Sequence, residues 1–447
     1  MSVLSGKIRL GLKTYLQGYL AISRQSDAGE IERLQSRKLQ NLIRYSYDNI
    51  KYYWEIFTQH SINPEQIRTA DDLHRIPILT KQQLRERLWD FLPRELPECR
   101  ISRTSGSTGI PICIFSDNNS RMFNSAAVIR YRRALGIGPF GKTILTPLKT
   151  ANEPYYKKAH WTFLQGIHKT YYINPHVDSP ENTEYAKRLL SKLHTPALIG
   201  ITPAIRALAC RVKDGVFPHF QPAAVLTTGE SLSPQVRDLL ETTFNTKVAD
   251  IYACNEAGDV AWQCQYSTGY HINADNVIVE IVKDGKPVED GQTGEVVITN
   301  LNRYAMPIIR YKNADLARLT KEPCPCGCKL PMIAEILGRT GEDIFLPDGR
   351  TVPWNQLKSP MNHPRIRQFQ IIQNNCGDLS IKYVAEPGTN TEQIERLLLS
   401  RYKDILGSLI NIEMDKTDKI TPTLSGKSKL VISNYKHAQS PAHVKVL

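Results

Sequence analysis

The sequence lacks any uninterrupted apolar run of about 18 residues, the length a helix needs to cross a bilayer, which excludes a helical integral membrane protein. Its first residues, MSVLSGKIRLGLKTYLQGYLAI, lack a signal-peptide core because Lys7, Arg9, Lys13 and Gln17 interrupt them, and the expected location is the cytoplasm. Read as a helix, this stretch is amphipathic. Docking on the protein's own surface is the preferred reading over a helix lying on a membrane. Blocks of like charge are also missing. Lys and Arg number 57 against 44 Asp and Glu, and the net charge of +13 is spread out, a field suited to small polyanions and not to nucleic acid. Internal repeats and low-complexity segments are absent, which excludes solenoids and disordered arrays.

What remains is an ordinary soluble composition, 41% apolar and 23% charged over 447 residues, enough for more than one domain. Residues 29–60 show helical apolar spacing (Ile31, Leu34, Leu39, Leu42, Ile43, Tyr47), and TKQQLRERLWDFL predicts a second helix with Thr80 as its cap. Between about residues 120 and 250 the runs KTILTPL, KTYYIN, PALIGI, AAVLTTG and KVADIYA alternate with helical patterns, as in a parallel α/β sheet. After residue 270, HINADNVIVEIV, GEVVITN and IIRYKNADLARL are closely spaced and joined by turn sequences, the pattern of an antiparallel sheet. The turn formers of GRTGEDIFLPDGR mark a domain boundary. Beyond it, strands near RQFQIIQ and LSIKYVA and a helix near TEQIERLLLSRY predict a small α/β cap.

Three polar stretches follow apolar runs or precede them. RTSGSTGIP, Arg103 to Pro111, is not a Walker loop, since Ile110 stands where that loop requires lysine. Its hydroxyls and glycine-exposed backbone N–H groups nevertheless suit phosphate. TTGES occupies 227–231 and ADIYACNE 249–256. Within the latter, Tyr252 suits stacking on a purine and Glu256, a hard oxygen donor, suits a magnesium ion bridging phosphates. Taken singly, each stretch reads equally as a turn, a core tyrosine or a surface glutamate.

Taken in order, the motifs resemble the adenylate-forming superfamily, and within it the phenylacetate–CoA ligase family with its capsular-polysaccharide-cluster relatives. TSGSTGIP stands for the phosphate loop, TTGES for Gly-Ala-Glu-Pro, and DIYACNE for Asp-Ile-Tyr-Gly-Leu-Ser-Glu. IRYKNADLA stands for Ile-Arg-Tyr-Arg-Thr-Gly-Asp-Leu, followed by CPCG, GRTGEDI for Gly-Arg-Ser-Asp-Asp, and LSGKSKLVIS for the terminal Gly-Lys segment. The resemblance implies an α/β fold with a large N-terminal ATP- and acid-binding domain (1–338) of α/β sheets plus an antiparallel β subdomain. A hinge (339–344) and a small mobile α/β lid domain (345–447) would follow.

It further implies that Ser105, Gly106, Ser107, Thr108 and Gly109 wrap the β- and γ-phosphates, and that Gly229, Glu230, Asp250 and Tyr252 line the adenine. Asp315 would hold the ribose hydroxyls with Arg339 nearby, Glu256 would bind magnesium, and Lys427 would be the catalytic lysine of adenylation. Three departures stand out. Ala253 and Cys254-Asn255 replace Gly and Leu-Ser, Gly341 replaces a hinge Asp or Lys, and LPDGRTVPW is closer to the polysaccharide-cluster relatives than to aryl-acid ligases.

Nine cysteines in a reducing compartment read as thiols or metal ligands. CPCGC supplies Cys324, Cys326 and Cys328, and QCQYSTGYHI supplies Cys264 and His271. Four soft N/S donors suit tetrahedral zinc, with a surface loop of reduced thiols as the plain alternative. Similar ligases carry zinc at equivalent positions, which singles out Cys264, His271, Cys324 and Cys326, with Cys328 in reserve, as a structural site. The expected activity is activation of a carboxylic acid by ATP and Mg2+ to acyl-AMP, then transfer to a thiol, coenzyme A. A carrier protein or an amine is the alternative acceptor, and a non-catalytic nucleotide-binding relative is the alternative of another class.

Overall fold

The structure, a computed structural model, describes residues 2–103, 112–146, 160–162, 167–175, 177, 179–230, 232–339, 344–348, 350–352, 354–361, 363, 365–407, 410–418, 420 and 431–435. It divides into two compact units, in the main Met1 to Ile336 and Leu337 to Leu447. The division falls just ahead of the predicted hinge, of which residues 340–343 lie outside the described residues.

The first unit opens with helices α1 (Ser2–Arg24), α2 (Ala28–Asn49) and α3 (Lys51–Gln59). The helical spacing over 29–60 is thus divided in two. Ile50 is extended (φ −118°, ψ 113°) and serves both as C-cap of α2 and N-cap of α3. Thr80 caps α4 (Lys81–Glu86) through a reciprocal box with Gln83, but α4 stops there and Leu88–Phe91 continue as a 3-10 turn. Leu39, Leu42, Tyr53 and Phe57 form one core with Leu73, Leu79, Phe91 and the segment Leu301–Tyr311. Within it the Tyr53 hydroxyl donates to Pro307 O (3.1 Å) and accepts from Ile309 N (3.0 Å), pinning that segment from beneath.

Strands β1 (Cys99–Arg103) and β2 (Cys113–Asp117) pair antiparallel. Helix α5 (Asn118–Ala134) begins directly after β2. Asp117 caps it by accepting from Ser120 N (2.7 Å), and its second oxygen accepts from Tyr304 N and Ala305 N (2.8 Å each).

The main sheet then alternates with helices as the sequence predicts. Its strands are β3 (Phe140–Leu145), β4 (His160–Thr162), β5 (Ile167–Tyr172), β6 (Ala197–Ile201), β7 (Ala224–Thr228) and β8 (Val248–Cys254), with α6 (Pro180–Lys192), α7 (Thr202–Lys213) and α8 (Pro234–Phe244) between them. The order β5-β3-β6-β7-β8 is parallel throughout. Strand β9 (Gly258–Trp262) returns antiparallel to β8 and begins the second half: β10 (Tyr270–Ile272), β11 (Val277–Lys283), β12 (Lys286–Pro287), β13 (Thr293–Asn300), β14 (Tyr311–Thr320) and β15 (Met332–Arg339). All belong to one thirteen-stranded sheet in which β15, β10 and β9 lie between β14 and β8. The α/β class and the change from parallel to antiparallel pairing both follow the sequence pattern.

Helix α5 covers β9. Asp259 N donates to Asn124 Oδ1 (2.7 Å), and the Tyr131 hydroxyl donates to the Asp259 carboxylate (3.2 Å). Burial pushes that carboxyl up to about 6, against the opposing pull of the Tyr131 hydrogen bond and of Arg132. A carboxyl raised in the folded state contributes stability that is full below its unfolded value, near 3.9, and is lost as pH rises through 6. Asp259→Asn is therefore expected to leave stability near pH 4 little changed and to raise it by about 2 kcal/mol at pH 7. Urea unfolding at both pH values checks this, and an equal shift at both would refute it.

The second unit has the hairpin β16 (Ile344–Phe345) and β17 (Thr351–Val352) and a four-stranded sheet. Its strands are β18 (Ile366–Gln373), β19 (Leu379–Ala385), β20 (Ile412–Lys416) and β21 (Val431–Ser433), ordered β20-β19-β18-β21. Helices α9 (Trp354–Met361) and α10 (Thr391–Leu406) join them in a core of Leu357, Ile371, Ile381, Tyr383, Leu398 and Tyr402. Buried Gln373 donates to Phe345 O (2.7 Å) and Gly377 O (3.0 Å) and accepts from Ser433 (2.7 Å), so one amide fixes both edges of this small core.

Candidate active site and metal centre

Motifs that are far apart in sequence meet where β8 and β14 approach. The Tyr252 hydroxyl donates to Asp315 (2.6 Å), and Asn313 Nδ2 donates to both the Tyr252 oxygen (2.7 Å) and Asp315 (2.8 Å). Just beyond β8, Glu256 is buried and accepts from the Tyr311 hydroxyl (2.9 Å). Three strands separate β8 from β14 in the sheet, so these contacts require it to curl back on itself.

A local irregularity aims Asp315. Glu295 pairs with Leu316 and Val297 with Lys312, leaving Asn313, Ala314 and Asp315 opposite a single residue of β13. Ala314 lies in the left-handed region (φ +68°), a conformation that costs a residue with a Cβ about 1 kcal/mol more than glycine. The family pattern has glycine there.

At the end of β7, Gly229 has φ +82°, and a Cβ on it would stand 3.1 Å from Ile201 Cγ2. The Thr228 hydroxyl donates to Ile251 O and the Thr202 hydroxyl to Glu230 O (2.9 Å each), anchoring this turn to its neighbours. Asp250 is buried beneath. Its two oxygens accept from Thr227 (2.7 Å) and Tyr270 (2.8 Å), so its side chain braces the strands, and burial holds its carboxyl above the usual range.

Beside Glu256 the structure adds a residue that the sequence reading passed over. Arg303 is buried, donates to Glu256 O (2.6 Å), and has no hydrogen-bond partner for Nε among the described residues. Its guanidinium pKa is lowered by burial, opposed by the charges of Cys254, Glu256 and Asp117. Asp117 also holds the two backbone amides that follow Arg303. Ser105, Gly106, Ser107, Thr108, Gly109 and Lys427, together with the Arg339 side chain, lie outside the described residues.

The cysteine–histidine set converges from three segments. Ligand atoms of Cys264, His271, Cys324 and Cys326 lie within 4.8 Å of one another. Cys264 Sγ is 3.5 Å from Cys324 Sγ, and Cys326 Sγ is 3.3 Å from His271 Nε2. Donors at zinc bond lengths of about 2.0–2.3 Å at tetrahedral corners stand about 3.3–3.8 Å apart, which these two contacts match, while the set as a whole spreads up to 4.8 Å. Cys328 is not in it.

Gly327, at φ +79°, turns the CPCGC loop, and the amides of Cys326, Cys328 and Tyr266 donate to the sulfurs of Cys324, Cys326 and Cys264. Burial pushes Cys264 up to about 12 and holds His271 down to about 4, with Arg130 adding to the latter, so the imidazole is neutral and ready to ligate. Arg130 is itself buried, donating to Asn273 (2.9 Å), Asp275 (2.6 Å) and Ala21 O (3.3 Å).

Comparison with known proteins agrees with this architecture. A solved 2-hydroxyisobutyryl-CoA ligase in complex with an acyl-AMP superposes with a TM-score of 0.76 over 92% of both chains at 18% identity. The fold is that of the adenylate-forming CoA ligases. Protein CapK of Staphylococcus aureus is 23% identical over 98% of this chain and 96% of its own. The phenylacetate-coenzyme A ligases of Aromatoleum evansii (25%, 94% of this chain and 98% of that one) and Thermus thermophilus (27%, 74% and 75%) are also similar. Residues 345–434 match the family model CapK C-terminal domain. Sequence and fold together are consistent with the phenylacetate–coenzyme A ligase family, CapK-type relatives included. Among the described residues no helix is long and apolar enough to cross a membrane.

Proposed function

We propose that this chain is an AMP-forming acid–thiol ligase that joins a carboxylic acid to ATP as acyl-AMP and then passes the acyl group to coenzyme A. The observation that carries this reading is the meeting of Tyr252, Glu256 and Asp315, from motifs of one order, at the curl of a sheet whose fold is shared with CoA ligases. Tyr252 would stack on the adenine, and Asp315 would accept from the ribose hydroxyls. Glu256, oriented by Tyr311, would hold magnesium, which neutralises phosphate charge when bound. Ser105 to Gly109 would cradle the phosphates, Gly229 and Glu230 would border the base, and Arg339 would lie by the ribose. Asp250 acts from behind by bracing Thr227 and Tyr270. The acid's carboxylate attacks the α-phosphate and pyrophosphate departs. The thiol then attacks the acyl carbon, and AMP leaves.

Residues 339–344 would be the hinge and 345–447 the lid that presents Lys427 for the first step. Cys264, His271, Cys324 and Cys326 would hold a structural zinc, since four protein donors close its coordination sphere.

Acid-dependent pyrophosphate release, with mass-spectrometric detection of acyl-AMP from mixed carboxylic acids, tests the reading. Ser107→Ala with Thr108→Ala is expected to raise the KM for ATP about tenfold or more without altering the circular dichroism spectrum, as loss of phosphate contacts would. Failure to form any acyl-AMP, or unchanged ATP use by this variant, would count against it. Giving acyl-AMP-forming enzyme a carrier protein or an amine in place of coenzyme A separates the acceptors.

A further inference from the structure

Helix α1 faces the protein with its small side and the solvent with its large one. Thr14, Gly18 and Ala21 are buried, and the approach to α5 is so close that a Cβ on Gly18 would fall 2.9 Å from Ile129. Leu12, Leu16 and Tyr19 are 68%, 59% and 58% exposed. At about 100° per residue these three fall within about 60° of arc, opposite the buried trio. A helix covering its own core places leucine inward and polar residues outward. Here the reverse holds.

Charge indicates what covers the exposed stripe. Residues 1–26 contain Lys7, Arg9, Lys13 and Arg24 and no Asp or Glu, and Lys13 is exposed beside the stripe. Arg24 is paired with Glu30 of α2 (2.9 Å), and a second copy docked through α1 would bring the other Lys and Arg residues of the two helices together, six in all, with no carboxylate from either helix. An anionic lipid surface supplies both an apolar layer for leucine and phosphates for the cations, and tyrosine suits its headgroup boundary.

We propose that α1 seats the protein on anionic membrane surfaces, with Leu12, Leu16 and Tyr19 entering the headgroup–acyl boundary and Lys13 beside them meeting lipid phosphates. The helix lies in the plane of the interface and does not span it. An acid ligase held there would act on acids or acceptors concentrated at the bilayer, while its chemistry stays in the site described above.

Flotation of the full-length protein with vesicles tests this. Vesicles of phosphatidylcholine with about equal phosphatidylglycerol are expected to carry the wild type at low salt, while phosphatidylcholine alone or high salt carries little. Leu12→Ser with Leu16→Ser is expected to weaken vesicle binding about tenfold or more, and Arg9→Gln with Lys13→Gln several-fold. Because Leu12 and Leu16 are exposed, the unfolding midpoint and pyrophosphate release in solution should not change. No flotation of a folded wild type at low salt, or flotation unaffected by both variants, overturns the proposal. So does a wild-type dimer in sedimentation velocity that the Leu12/Leu16 variant abolishes, which would assign the face to a second copy.

Discussion

Lys427→Ala is expected to lower acid-dependent pyrophosphate release about 100-fold or more, the scale on which charge-stabilising groups act. The same variant should still convert chemically made acyl-AMP and coenzyme A to thioester. The lysine belongs to LSGKSKLVIS, whose last residues form β21, in parallel register with Ile371 to Gln373. Charge accumulates between carboxylate and α-phosphate only in the first half-reaction. A cation presented there stabilises that transition state, and thiolation, in which the anhydride is already made, has no such demand. Circular dichroism must show that the variant is folded. Equal loss of both half-reactions in a folded variant would refute a two-conformation mechanism, and loss of neither would reduce Lys427 to a surface lysine.

The second large effect concerns the candidate metal centre. Protein purified without added metal is expected to hold about one zinc per chain by elemental analysis. Cys324→Ser with Cys326→Ser should release it and lower the unfolding midpoint by about 10 °C. The reasoning is local: three thiols and one imidazole packed this closely are costly as buried, mutually crowded groups, and a divalent cation converts their proximity into bonds. Cys328→Ser, outside the set, should retain the metal. A metal-free wild type of full stability would sink the assignment.

Much of this was legible in the sequence because motif order and periodicity are one-dimensional signals. The alternation of β-rich runs with helices gave the parallel half of the sheet, and the short spacing after residue 270 gave the antiparallel half. The convergence of Cys264, His271, Cys324 and Cys326 was readable because CPCGC is local and Cys264 and His271 flank one hairpin.

What escaped depends on three-dimensional closure. Asn313 and Tyr311 join Tyr252 and Glu256 only because the sheet curls, and no spacing rule encodes a contact across three strands. Arg303 lies in a loop without periodicity, and its burial beside Glu256 depends on a segment held in place by Asp117 at Tyr304 and Ala305. The break at Ile50 carried no glycine or proline to announce it. For α1, periodicity revealed a stripe but could not say which side α5 would cover, and the small residues won because they allow the closest approach.

The position of Arg130 ties together parts of the molecule that seem unrelated. Its single guanidinium reaches the last turns of α1 through Ala21, while its other nitrogens hold Asn273 and Asp275, immediately after the His271 donor. Lys38 of α2 donates to Asp275 O (2.6 Å) at the same point. A helix near residue 20, a helix near residue 130 and the loop at 273–275 therefore share one buried cation, and opening that loop alone would leave its charge unpaired. Shared bonds of this kind favour opening together over opening singly. The residues that follow His271 are thus joined to the N-terminal helix through a single side chain, and Arg130→Met is expected to speed hydrogen exchange at both.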